Sequence, residues 1–302
     1  MSIQRIGFVG LGNMGLPMAS RLVRAGFSVL AFDTDPKRLA EFSQATGSKT
    51  GQDLREIAAS ADAVITMLPN SQIVNHVVDG EDGLRSGFKQ GGILIEMSSG
   101  APGMTKLLAN SLGKLGVDVA DAPVSGGVAK AKTGELSIML GTNDKIAERI
   151  KPVLQAMGTS ILRTGDIGSA HAMKALNNLV SAGGFLIGIE ALLIGKEFGL
   201  NPDSMVDILN ASTGMNNSTQ RKFKQFVLSR AFNSGFGLDL MIKDVSIALD
   251  LGKQVGANTP FASLLRELSA SASALLGPGQ DHTALALFAE KLAGVTLAET
   301  AD

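Results

Sequence analysis

The segment Gly10-Leu11-Gly12-Asn13-Met14-Gly15 constrains this 302-residue chain more than any other. It follows the apolar run Ile6-Gly7-Phe8-Val9, which reads as a strand. It opens a stretch with Met14, Met18, Leu22 and Ala25 at helical spacing. In such a turn Gly10 permits the tight bend, Gly12 leaves room for a pyrophosphate beside the backbone, and Gly15 lets the helix pack closely on a sheet. The helix N-terminus, from Asn13 and Met14 onward, offers unpaired N–H groups and a positive dipole end to an anion. Asp33, eighteen residues after Gly15, ends the next strand-like run, where it can accept hydrogen bonds from an adenine ribose. A carboxylate there accepts from a 2′-hydroxyl and repels a 2′-phosphate, so NAD is the expected cofactor. Lys37 and Arg38 leave NADP open, since either could hold that phosphate.

The pattern around this turn predicts a doubly wound α/β fold. Apolar runs at 6–9, 27–32, 63–68, 93–95, 117–120 and 136–140 alternate with helical stretches, one of them at 36–45 with Pro36 in its first turn. Strands separated by helices imply a parallel sheet. The segment 125–134 reads as a loop. After Thr164 no further strand-length run is evident. Residues 169–198 form one helical pattern, ended by Gly199 with Asn201-Pro202 beyond it, and thirty residues span roughly 45 Å. Further helices are expected at about 202–211, 218–230, 239–255, 260–276 and 282–293, the last with Asp281 as its N-cap. The expected organisation is a Rossmann domain over 1–164 and an all-helical substrate and oligomerisation domain over 165–302, joined by the long helix.

Composition removes several classes of function. The 27 basic and 28 acidic residues balance, which argues against nucleic acid as the main partner. No cysteine is present, so thiol nucleophiles, disulfides and thiolate metal sites are excluded. The histidines at 76, 171 and 282 have no metal-ligand spacing; His76 reads as a surface helix residue, His171 as structural with a place lining the cleft as the alternative, and His282 as either structural or near the substrate end. Met14, Met18, Met173 and Met241 read as core filler. The most apolar stretch, 179–195, is interrupted by Ser181, Glu190 and four glycines, so a buried helix is expected rather than a membrane span. The N-terminus has no signal-peptide layout, and a cytoplasmic protein is expected.

Five segments together resemble the β-hydroxyacid dehydrogenase family, which includes 3-hydroxyisobutyrate dehydrogenases and tartronate semialdehyde reductases. They are Gly7-Phe-Val-Gly-Leu-Gly-Asn-Met-Gly15, Thr66-Met-Leu-Pro-Asn-Ser71, Asp121-Ala-Pro-Val-Ser-Gly-Gly127, Lys174-Ala-Leu-Asn-Asn178 and Ile242-Lys-Asp244. They fall in the family's order between residues 7 and 244, and the resemblance extends over essentially the whole chain. The resemblance implies an active-site cleft between a Rossmann domain and a helical domain. It implies an NAD(P)-dependent oxidoreductase that moves hydride reversibly between nicotinamide and a small 3-hydroxy acid. The candidate pairs are 3-hydroxyisobutyrate with methylmalonate semialdehyde, and D-glycerate with tartronate semialdehyde. The segment Asp281-His-Thr-Ala-Leu-Ala-Leu is more similar to the tartronate semialdehyde reductases, whereas residues 210–218 are typical of neither. Homodimers or homotetramers are common in the family.

The residues suit that chemistry. Ser125, Gly126 and Gly127 can converge a hydroxyl and backbone N–H groups on a substrate carboxylate. Lys174 lies on a mostly apolar helix, where a lysine is costly unless used or paired. As general acid for reduction and base for oxidation it would need its pKa of about 10.4 brought toward roughly 7–8. Asn178, four residues on, shares its helix face and can orient the lysine or the substrate hydroxyl. The resemblance adds Lys243 near nicotinamide and substrate, Ser99 on the cofactor, and Leu68 and Pro69 in a loop over the dinucleotide.

Other readings are separated by single residues. Phosphogluconate dehydrogenases carry Lys-x-x-His-Asn, and here the histidine position is Asn177. Imine reductases usually replace the lysine that this chain keeps as Lys174. L-Threonate or another small hydroxy acid is an alternative substrate. A dinucleotide-binding sensor without turnover would retain the glycines and lose Lys174, which is present.

Overall fold

The computed structural model describes residues 2–298. Met1 and residues 299–302, the outer ends of the two expected domains, lie outside the described residues. The chain divides into two compact units between Lys174 and Ala175, inside the long helix.

The first unit runs β1 (Arg5–Val9), α1 (Gly15–Arg24), β2 (Ser28–Phe32), α2 (Pro36–Thr46), α3 (Leu54–Ser60), β3 (Ala63–Thr66) and α4 (Ser71–Asp79). It continues through β4 (Ile93–Glu96), α5 (Pro102–Gly113), β5 (Asp118–Asp121), β6 (Val124–Ser125), α6 (Gly127–Thr133), β7 (Leu136–Gly141), α7 (Asp144–Gln155) and β8 (Gly158–Gly165). The strands form one sheet in the order β2-β1-β3-β4-β5-β7-β6, with β8 paired to β7. The neighbours from β2 to β5 are parallel, while β7 is antiparallel to β5 and β6. Alternate residues of the central strands enter different cores. Ile6, Phe8, Ile65, Ile93 and Ile95 pack on one face, and Val9, Val64 and Leu94 on the other. A sheet buried on both faces is the expected consequence of parallel pairing with helical crossovers.

Two parts of this unit depart from the sequence reading. The segment expected as a loop takes in Ser125, the last residue of the short strand β6, and the whole of the helix α6. The strand β8 was not expected. Its sequence, Gly-Thr-Ser-Ile-Leu-Arg-Thr-Gly, leaves most residues partly or fully exposed, so it has no buried apolar run to announce it.

The long helix α8 (Ser169–Phe198) begins in the first unit and continues into the second. After it come α9 (Pro202–Asn210), α10 (Asn217–Arg221), a π-helical turn (Phe223–Leu228), α11 (Leu238–Gln254), α12 (Pro260–Leu276), a 3₁₀ turn (His282–Ala284) and α13 (Leu285–Ala293). The single helix expected over 218–230 is therefore broken at Lys222, whose φ of −127° leaves the helical region. Gly199 ends α8 at φ +99°. The side chains of Asn201, Asn216 and Asp281 accept backbone N–H groups and cap α9, α10 and the 3₁₀ turn in that order. Phe185, Ile189, Leu192, Phe223 and Val245 form the core of this unit. By length and composition α8 could cross a bilayer, but 56% of its most apolar window is buried inside the protein, as in a core helix. Met241 and Met18 are buried, whereas Met173 is half-exposed and does not fill a core.

Candidate active site

The order of the parallel strands reverses between β1 and β3, and ligands of open α/β sheets bind at the carboxyl ends of strands flanking such a reversal. The glycine turn sits there. Gly10 has φ +98°, and a Cβ on it would overlap the Met67 carbonyl oxygen in the loop after β3. A Cβ on Gly15 would overlap the Gly10 carbonyl oxygen, so α1 starts against the turn itself. A Cβ on Gly12 would meet nothing within 4 Å, so the backbone there faces open space. No side chain caps α1; the Leu16 and Met18 N–H groups donate to the Gly12 and Met14 carbonyls and Pro17 has none, so it is the N–H groups of the turn from Gly12 to Gly15 that can meet an anion. These features fit a dinucleotide pyrophosphate.

Asp33 also holds the turn together. Its Oδ2 accepts from the Leu11 N–H at 2.6 Å and its Oδ1 from the Asp35 N–H at 2.8 Å. Each oxygen keeps a further lone pair for a ribose hydroxyl. Of the two cations that left NADP open, Arg38 is engaged by Glu41 at 3.1 Å.

The loops after β3 and β4 are stitched together. The Leu68 N–H donates to Ser98 Oγ at 2.9 Å and the Ala101 N–H to Ser71 Oγ at 2.8 Å. Leu68 and Pro69 therefore lie beside the loop that carries Ser99. Beneath them is a buried network that the sequence did not reveal. His171 Nε2 lies 2.9 Å from Glu96 Oε2 and 3.0 Å from the Ser98 carbonyl oxygen. Its Nδ1 is 2.7 Å from Thr105 Oγ1, and that hydroxyl donates to the Ala101 carbonyl at 3.1 Å. Nε2 faces two acceptors, and Nδ1 faces a hydroxyl that is already within reach of a carbonyl, an arrangement that favours the protonated ring. Burial alone would lower its pKa, but the charges of Glu96 and Asp121 and the Glu96 hydrogen bond outweigh it and raise the pKa above its ordinary value. Burial pushes Glu96 up, yet the His171 charge and the hydrogen bonds from His171 and Ser98 hold it below the usual carboxylate range. Asp121 is raised by burial, against the His171 charge and its backbone hydrogen bonds.

Asp121 also grips the root of α8. Its Oδ1 accepts from the Gly168 N–H at 2.8 Å and its Oδ2 from the His171 N–H at 2.9 Å. Lys174 lies one turn further along that helix. This attachment explains why the first turns of α8 belong with the sheet and why the units divide ten residues after position 164. In the same segment as Asp121, Ser125 ends β6, and Gly126 and Gly127 adopt φ +132° and +68°. Both glycines have conformations that L side chains avoid, and both are exposed.

In the second unit Asn178 is 7% exposed and fixed from two sides. Asn177 Nδ2 donates to its Oδ1 at 3.1 Å, and its Nδ2 donates to Asp244 Oδ2 at 2.5 Å. Lys243 Nζ lies 3.1 Å from Asp244 Oδ1. The structure thus brings Asn178 and Lys243 to one buried carboxylate. Asp244 had no expected role in the Ile-Lys-Asp segment, nor had Asp121 in its own. Glu96 carried no signal beyond being an acid at a strand end. His76 is exposed on α4, and His171 and His282 are buried. Among the described residues no cluster of three or more acidic or histidine side chains could hold a metal ion.

Comparison with known proteins agrees over the whole chain. Residues 5–165 match a family described as the NAD-binding domain of 6-phosphogluconate dehydrogenase. Residues 168–289 match a family described as NAD-binding of NADP-dependent 3-hydroxyisobutyrate dehydrogenase. The chain is 35% identical over 293 residues to a 2-(hydroxymethyl)glutarate dehydrogenase of Eubacterium barkeri, covering 97% of each. It is 32% identical to a 2-hydroxy-3-oxopropionate reductase of Escherichia coli, covering 97% of this chain and all of that one. Among solved structures, a 3-hydroxyisobutyrate dehydrogenase of Mycobacterium tuberculosis with L-serine aligns at a TM-score of 0.86 and 30% identity, covering 95% of this chain and 99% of that one.

Proposed function

The chain belongs to the β-hydroxyacid dehydrogenase family, and from that premise we propose that it oxidises a small 3-hydroxy acid reversibly, with NAD preferred over NADP. It is an NAD(P)-dependent oxidoreductase. The relatives' names span hydroxyisobutyrate, oxopropionate and hydroxymethylglutarate, so they fix a class of acid and not its side chain.

The observation that carries the proposed roles is the fixed amide of Asn178, in the helix that also bears Lys174. With one N–H and one lone pair already used, the amide has one of each left to orient a substrate hydroxyl or the lysine amine. Lys174 Nζ takes the hydroxyl proton during oxidation and returns it to the carbonyl oxygen during reduction. When bound, nicotinamide supplies the acceptor for the hydride leaving the carbinol carbon. The Ser125 hydroxyl and the N–H groups around Gly126 and Gly127 hold the carboxylate, which sets the carbinol carbon at a fixed distance from its anchor. Asp244 holds Asn178 and Lys243 in place, and Lys243 adds positive charge toward the anionic substrate. The open backbone at Gly12 and the first turn of α1, with Asn13 and Met14, would receive the pyrophosphate, with Gly10 and Gly15 shaping the turn. Asp33 would receive the ribose, while Leu68, Pro69 and Ser99 line the nicotinamide half.

In this reading residues 1–164 bind the cofactor, residues 165–302 contribute substrate contacts and self-association, and the protein works in the cytoplasm as a homodimer or homotetramer. Self-association is supported by Val180, Ile187 and Ile194, exposed at seven-residue spacing on α8. Beside them is a groove of about 530 Å³ lined by Leu193, Ile194, Leu268, Phe288 and Leu292. A single monomer peak in sedimentation at micromolar concentration would remove that part.

The reaction is tested by following NADH formation with 3-hydroxyisobutyrate, D-glycerate and L-threonate. Turnover of at least one acid is expected, and Lys174→Ala should lower kcat by about a hundredfold or more. Near-normal turnover in that variant would take the lysine out of the mechanism. Silence of the native enzyme toward all acids despite tight NAD binding would favour a sensor.

A further inference from the structure

The second unit holds a half-buried cation that its own carboxylates do not pair. Lys222 stands at the break between α10 and the π-helical turn. Its Nζ donates to Ser181 Oγ at 3.2 Å and lies 5.9 Å from the Phe185 ring centroid. These are its only hydrogen bond and ring contact among the described residues, and an ammonium has three protons to donate. Asp281 is the nearest acidic influence, but its oxygens accept from the Ser234 hydroxyl, the Gly235 and Phe236 N–H groups, and the Thr283 N–H and hydroxyl. That carboxylate is committed to the turn it caps.

A second group beside Lys222 also has unused capacity. His282 is 4% exposed, its Nδ1 is 3.1 Å from the Phe236 carbonyl oxygen, and its Nε2 has no partner among the described residues. Burial, followed by the Lys222 charge, pushes its pKa down to about 4, so the ring is neutral and Nε2 is a bare acceptor. Burial likewise pushes Lys222 down to about 8, against the Asp281 charge, so the ammonium persists at neutral pH at a desolvation cost. A partly desolvated charge with no carboxylate in direct contact, only the more distant Asp281, favours an anion from outside.

The position of Ser181 suggests what that anion belongs to. Ser181 lies three residues after Asn178 on α8, hence on nearly the same face and about 4.5 Å further along the axis. That rise is close to the length of a short carbon chain. We propose that Lys222, with Ser181, receives a second carboxylate of the substrate, so that the preferred substrates are 3-hydroxy acids that are also dicarboxylates. This rests on the proposed reaction at Lys174 and Asn178. The π-helical turn after Lys222 suits the role, since such single-turn insertions recur at functional sites.

The test compares kcat/KM of the full-length enzyme with NAD for 3-hydroxyisobutyrate and for 2-(hydroxymethyl)succinate and 2-(hydroxymethyl)glutarate. The native enzyme should favour a diacid by about tenfold to a hundredfold, the scale of one charge-assisted hydrogen bond. Lys222→Gln should collapse that ratio through KM for the diacid, and Lys222→Arg should restore part of it. A ratio near one in the native enzyme, or an equal loss on both classes in Lys222→Gln, overturns the proposal. Should Lys222→Gln not fold, inhibition of the native enzyme by glutarate and by butyrate decides. Glutarate must inhibit at a concentration at least about tenfold lower, and equal potency overturns the proposal. Oxidation of 3-hydroxyisobutyrate without any diacid preference removes this proposal alone. No oxidation of any 3-hydroxy acid removes the proposed reaction and this proposal with it.

Discussion

His171 in the first unit and His282 in the second are equally hidden from solvent, 1% and 4% exposed, yet their pKa values are shifted in opposite directions. His171 faces two carboxylates, and their charges raise its pKa against the effect of burial. His282 shares its surroundings with a lysine ammonium and is neutral. Burial pushes both rings the same way, so the sign of the neighbouring charge decides. The pair also separates two uses of buried polarity. Around His171 the donors and acceptors hold backbone: two strand ends, the Ser98 loop and the root of α8. Around His282 one acceptor and part of an ammonium are left unspent.

Removing the ring should break this contrast most severely. His171→Ala strands two buried carboxylates, and the first unit should lose about 3–5 kcal/mol in urea denaturation followed by circular dichroism. A loss below about 1 kcal/mol would mean that the network is not charged. The pH dependence of stability comes from the same shifts. His171 has a raised pKa, so its contribution is complete below the ordinary histidine value and is lost as pH rises through the raised one. Glu96 has a lowered pKa, so its contribution is present above the ordinary carboxylate range and is lost as pH falls through the lowered one. Thermal melting should therefore decline on the alkaline side, and His171→Gln should flatten that limb. Parallel profiles for the two proteins would contradict an imidazolium.

Asp33 sharpens the comparison from inside the first unit, because it both holds a turn and keeps lone pairs for a ligand. Asp33→Ala should weaken NAD by about tenfold, with a smaller loss for NADP. Equal losses by calorimetry would leave only the turn-holding role. The smallest effect is expected at His282. An Asn there can still donate to the Phe236 carbonyl, so His282→Asn should change stability by no more than about 1 kcal/mol. In native protein the His282 Cε1 proton resonance should stay at its neutral position down to about pH 5, since its pKa lies near 4. Titration near neutrality would place it with His171.

The range of the forces involved decides how much of this could be read from sequence. The glycine turn, the strands of buried β-branched residues and the stops at Gly199 and Pro202 are local, and α8 was legible from end to end. The strand β8 escaped because an exposed strand carries no apolar run. The break at Lys222 escaped because a π-turn differs from an α-turn by one residue and not by composition. A motif made Asn178 and Lys243 candidates, but their common contact with Asp244 needed the fold to bring α11 to α8. The state of His171 depends on Glu96 and Asp121, which are adjacent only once strands β4 and β5 pair.

The π-turn behind Lys222 carries a consequence for variation in length. Deleting one residue from 224–226 would let that segment close as an α-helix, turning the upstream part by about 100° about the axis. Both ends resist that turn: Val227 is wholly buried and Arg230 is clasped by Glu290 at 2.5 and 2.9 Å, while upstream Phe223 is wholly buried against Phe185 and Asn216 caps α10. A single lost codon, with every remaining residue unchanged, would therefore set two anchored stretches against each other, with Lys222 at the joint between them.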